Sequence, residues 1–107
     1  MWFIFPQLDG LGRSPTARKF AISSLGEARA YLEHPVLGPR LRECCRLVID
    51  IEGRTIFDVL GTPDDLKFRS SVTLFASATS DNAVFLKALD KYWNGEGDEA
   101  TLRLLRR

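Results

Sequence analysis

Soft and redox-active side chains are scarce in this 107-residue chain, which has two cysteines, one histidine and one methionine. Cys44 and Cys45 are neighbours, so on a helix they diverge by about 100°, which is unsuited to an ordinary bridge between them. Neither has a Cys or His partner at zinc spacing, so no metal site and no cofactor is indicated, and both read as buried or half-buried packing thiols. An excess of one charge is missing too. Fifteen Lys+Arg oppose 14 Asp+Glu, a formal charge of +1. Seven basic and six acidic residues run through Gly53, and eight of each follow. No charge-driven nucleic-acid or membrane partner follows from that balance. Long apolar runs are absent: the longest uncharged one, residues 1–7, is far short of the roughly 20 residues that span a bilayer. Pro6 and Asp9 interrupt it as a signal peptide would not, so the expected location is cytoplasmic. Nucleophile-elbow, phosphate-loop and zinc-protease signatures are missing as well.

What is present suits one small folded domain over residues 1–107: 45% of residues are apolar and 27% charged, which excludes disorder. Ser24 and Glu27 form a capping box that starts a helix running to about Glu33. Pro35 restarts the chain in a first helical turn, and Leu37, Leu41, Cys44, Cys45, Val48 and Ile51 fall on one stripe that ends near Glu52 and Gly53. Residues 54–60 are ambiguous between a strand and a short helical turn, and the turn is favoured by Gly61 as its stop. Thr62 as cap, Pro63 at the first position and Asp64 and Asp65 behind it predict a helix to about Ala76. Asp81 caps another, with Val84, Phe85, Ala88, Leu89, Tyr92 and Trp93 on one face until Asn94 and Gly95 stop it. Asp98 caps the last. The expected fold is all-α, a single small domain of about five to six short helices in non-bundle, orthogonal packing.

Two groups of residues could carry chemistry. Large apolar side chains crowd residues 1–5, which must therefore be buried. They form either a core stub or, with Trp2, Phe5 and Gln7, the wall of a ligand pocket. On the helix after Pro63, Asp64, Lys67 and Ser71 share a stripe that Ser70 and Thr73 flank. Hydroxyls are poor helix formers, so their presence there points to buried hydrogen bonds, structural or to a ligand. Arg69 points about 200° away from Lys67 and is expected to be a solvated charge. His34, before a proline at a helix entry, reads as a cap or hinge. The spacing of Gly10 and Gly12 before Arg13 and Ser14 suggests an anion loop but matches neither phosphate fingerprint.

Five blocks in order carry a resemblance: residues 1–7, residues 10–14, residues 27–32, residues 34–38 and residues 65–75. Together they resemble the bacterial domain of unknown function 1810 family, whose members often carry the label calpastatin. That label belongs to a long, disordered, repetitive inhibitor, unlike this compactly patterned chain. The resemblance implies an all-helical fold with no established activity. It also implies that residues 1–7 are internal in longer members, preceded by one or two helices, so that this chain lacks that segment. A homodimer through the apolar N-terminus is the expected consequence. The reading is an uncharacterised helical domain that binds a small anionic or nucleotide-like molecule in a polar-aromatic cleft lined by Trp2, Phe5, Gln7, Lys67, Ser70, Ser71 and Thr73. One alternative is a glycosidase-like hydrolase of a nucleotide-derived N-glycoside, with Glu27 or Asp64 as acid or base. Another is a protein-interaction module with no small-molecule site.

Overall fold

The computed structural model describes residues 4–11 and 21–106. Of the described residues 64% are helical, in six helices, and none lies in a strand. Ser24 accepts a hydrogen bond from the Glu27 amide at 3.1 Å and opens α1 (Leu25–Glu33). The Glu27 carboxylate reaches one residue further back than a standard box, to the Ser23 amide at 3.0 Å and the Ser23 hydroxyl.

The next helix, α2, begins at Leu37 and not at Pro35, because His34 supplies its cap: Nδ1 accepts from the Val36 and Leu37 amides at 3.1 and 3.2 Å. Pro39 falls in the first turn, where a missing N–H leaves no intrahelical bond unmade. Between α1 and α2 stands Gly38, at which a Cβ would lie 2.0 Å from the Leu32 carbonyl oxygen. The two helices meet there backbone to backbone. α2 (Leu37–Ile49) stops before the expected Glu52–Gly53 end. Tyr92 donates to the Val48 carbonyl at 2.6 Å and Lys91 to those of Ile49 and Ile51, a cap supplied from another helix.

Within residues 54–60 a short helix does form, as favoured, and it begins at Ile56. Thr55 and Asp58 form a full capping box, each side chain accepting from the other's amide at 3.1 Å, and open α3 (Ile56–Leu60). α4 (Asp64–Ala78) runs past the expected Ala76, and Thr62 does not cap it. Pro63, after a cis peptide bond, occupies the cap position. The first-turn amides are met by backbone instead, Asp65 by Gly61 at 2.9 Å and Lys67 by Pro63 at 3.1 Å. α5 (Ala83–Trp93) has Asn82, not Asp81, at its start, and the Asn82 amide group donates to the Ala76 carbonyl at 3.0 Å instead of capping. Its end is as expected, with Asn94 left-handed at φ 53°. Asp98 opens α6 (Glu99–Leu105), accepting from the amide and hydroxyl of Thr101 at 2.9 and 2.7 Å.

α4 is the axis of the molecule and packs against α1, α3, α5 and α6. Phe68, Val72, Leu74 and Phe75 on it are fully buried. Phe68 meets Phe5 edge-on at 4.7 Å and Trp93 at 6.1 Å, while Phe75 meets Tyr31 at 5.4 Å and Phe85 at 5.9 Å. Each such ring contributes about 1.5–3 kcal/mol by burial. The expectation that the N-terminal apolar residues are buried holds for Phe5 and fails for Ile4, which is 42% exposed. Gln7 and Asp9 pair with Ile22 through backbone bonds of 2.8 and 2.7 Å, an isolated parallel bridge.

Candidate functional site

The hydroxyls on α4 face inward but do not share a partner. Ser70, Ser71 and Thr73 are all buried. Ser70 donates to the Leu66 carbonyl at 3.1 Å and Thr73 to that of Arg69 at 2.7 Å, bonds to the preceding turn of their own helix. Thr73 Oγ1 also accepts from the Asp98 amide at 2.8 Å and so fixes the connection between α5 and α6. Ser71 Oγ is buried without a hydrogen-bond partner, the one such side-chain atom among the described residues. Phe5 is packed against Phe68, Gln7 is buried, and Asp64 and Lys67 are half-buried. Trp2, with Gly12, Arg13 and Ser14, lies outside the described residues. Glu27 stands in the α1 capping box, where the Ser23 hydroxyl and amide hold its carboxyl below the ordinary range. Five clefts on the described surface have none of Phe5, Gln7, Glu27, Asp64, Lys67, Ser70, Ser71 and Thr73 in their walls.

Arg69 is not the solvated charge expected of it. Its guanidinium donates to the Glu96 carbonyl at 3.3 and 3.1 Å and lies 5.5 Å from the centre of the Trp93 ring. The connection after α5 crosses that face of α4 and covers it. Cys45 is fully buried, and burial, with Cys44 beside it, pushes its thiol up to about 12, which suits the packing role read from the sequence.

The chemistry that the fold does assemble lies at the turn between α4 and α5. Arg29 of α1 donates from Nε to the Ala78 carbonyl at 3.2 Å, and Arg42 of α2 donates to that of Asp81 at 2.9 Å. With Asn82 bonded back to Ala76, residues 79–82 are tied down from three sides. Arg42 is itself held: its side chain is 19% exposed, it stands 5.2 Å from the Phe85 ring centre, and the Asp81 carboxylate is 3.8 Å away. Two clefts share Arg42 and Asp81. One, about 380 Å³, has Arg46, Lys87 and Asp50 in its walls together with Ala83 and Val84 of the first turn of α5. The other, about 390 Å³, has Arg29, Glu33, Thr79 and Ser80. Sequence reading missed these residues. The signal for them was Arg42 and Arg46, four apart beside the buried stripe of Leu41, Cys45 and Val48, where a long cation skirts the core.

A family model described as protein of unknown function (DUF1810) matches residues 1–105. The chain belongs to this family. A DUF1810-like chain of known structure supports the fold: the crystal structure of the conserved hypothetical protein Rv1873 from Mycobacterium tuberculosis is 55% identical, with a TM-score of 0.97. The similarity covers 99% of this chain and 76% of that one. Among curated proteins none matches. Within the described residues of this DUF1810 chain, no helix is long and apolar enough to cross a membrane.

Proposed function

We propose that this domain binds a small anionic molecule, and that it does so where α2 meets the α4–α5 turn. The observation that carries the reading is Arg42. A guanidinium packed beside Phe85 and bonded to the Asp81 carbonyl has lost its rotamer freedom before a ligand arrives, and it keeps further N–H donors for that ligand. With Arg46 and Lys87, its cleft holds three cations against the carboxylates of Asp50 and Asp81, and so favours an anion. The Lys67 stripe supports this function less well, because the hydroxyls of Ser70 and Thr73 bond to their own helix. A hydrolase built on Glu27 or Asp64 is supported less well, because neither residue lines either cleft.

Inorganic phosphate, titrated into the intact chain and followed by amide NMR shifts, tests the proposal. Shifts centred on Asp81, Ala83 and Lys87 are expected. Arg42→Ala should lose them, whereas Arg103→Ala, which removes a surface pair with Glu99 at 3.0 Å, should keep them. Loss of binding in Lys67→Ala, with Arg42→Ala binding like the parent, would return the site to α4.

A further inference from the structure

Resting on the anion-binding reading, the geometry points to a more specific ligand class: a sugar phosphate, with its phosphate in the Arg46 and Lys87 cleft and its hydroxyls in the neighbouring one. The two clefts are chemically unlike. One carries three cations, Arg42, Arg46 and Lys87, against two carboxylates, Asp50 and Asp81. The other, across Arg42, carries the hydroxyls of Thr79 and Ser80 and the carboxylates of Glu33 and Asp81, with Arg29, above the apolar side chain of Leu32.

An ionised carboxylate accepts hydrogen bonds only, and a hydroxyl both donates and accepts. A carboxylate and two hydroxyls beside one apolar wall therefore match a ring that bears adjacent hydroxyls and an apolar face. They match a second phosphate less well than the first cleft does, because Glu33 and Asp81 offset Arg29 and Arg42 there, whereas three cations face two carboxylates in the first. Thr79 Oγ1 already accepts from the Asp81 amide at 3.2 Å, so its own proton is directed to another acceptor. Arg42, on the boundary, touches both parts of such a ligand. The turn is also preset: Arg29 and Arg42 hold the carbonyls of Ala78 and Asp81, so residues 79–81 need little ordering when the ligand binds.

The experiment compares inorganic phosphate, ribose 5-phosphate and ribose by NMR titration of the intact chain. Two added hydrogen bonds should make ribose 5-phosphate bind about tenfold more tightly than inorganic phosphate, with shifts extending to Glu33, Thr79 and Ser80. Ribose alone should bind more weakly than either. The double variant Glu33→Ala, Ser80→Ala should remove the advantage of ribose 5-phosphate and leave inorganic phosphate as it was. If ribose 5-phosphate binds no tighter than inorganic phosphate, and only Asp81, Ala83 and Lys87 shift, the sugar assignment is overturned while anion binding stands. If neither anion binds, both readings fall together.

Discussion

The middle of α4 and its C-terminal end treat polar groups in opposite ways. Along its middle, Ser70 and Thr73 turn their hydroxyls onto carbonyls four residues back in the same helix. At its last residue and just beyond, the carbonyls of Ala78 and Asp81 are met by arginines 49 and 39 residues away in the sequence. The first arrangement consumes polarity locally. The second gathers charge from α1 and α2 at one place, and there the surface is open. A hydroxyl inside a helix thus carries little information about a ligand, because its own backbone can satisfy it. An arginine that reaches a turn from another helix carries more, since its remaining donors are already positioned.

The sharpest way to break this contrast is Thr73→Val, which keeps the shape and removes the hydroxyl that serves both Arg69 and Asp98. Leaving the half-buried Asp98 amide without its partner should cost about 1–2 kcal/mol in urea unfolding, with phosphate binding at the turn unchanged. Parent-like stability, or lost binding, would mean that the middle of α4 is not a purely structural region.

A smaller effect is expected at Ser71, whose Oγ has no partner. Ser71→Ala removes an unsatisfied group along with one heavy atom, so stability should stay within about 1 kcal/mol of the parent, on the stabilising side. A clear loss in the same unfolding assay would reveal a partner for the hydroxyl and reopen α4 as a polar site.

The smallest effect belongs to the surface boxes, which use local polarity as the middle of α4 does. Hydrogen bonds from Ser23 and Thr55 hold the carboxyls of Glu27 and Asp58 below their ordinary values of 4.5 and 3.8. Their folded values are lowered, so their stabilisation is present above those ordinary values and is lost as pH falls through the lowered ones. Chemical denaturation from about pH 5 to about pH 2 should therefore show a shallower decline for the Glu27→Gln, Asp58→Asn double variant than for the parent. Parallel curves would show that neither box contributes.

What the sequence discloses follows the range of the interactions. Ser24 and Asp98 cap the helices assigned to them, Asn94 stops α5, and Val84, Phe85, Ala88 and Leu89 are all buried. The caps and the stop rest on partners within a turn or two, and the buried stripe shows in the helical period of its own residues. Where α2 ends was hidden, because Lys91 and Tyr92 make that decision from 40 or more residues away. Arg69 was misread for the same reason: the ring that holds it belongs to the end of α5, and the carbonyl to the connection after it, 27 residues on. The candidate site is the extreme case. Arg29, Arg42 and residues 79–81 belong to separate elements, and only the folded chain makes them neighbours.

Gly38 gives that site an unexpected control point. It has no polar side chain and stands in neither cleft, yet the distance between α1 and α2 is set there by a hydrogen atom, with the Leu32 carbonyl where a methyl group would go. Arg42 follows one helical turn later on α2, and Arg29 rides on α1. A methyl group at position 38 would wedge the two helices apart and draw the two guanidiniums away from each other. The width of the charged groove is therefore written in a residue that carries no chemistry, and a search confined to polar side chains would pass over it.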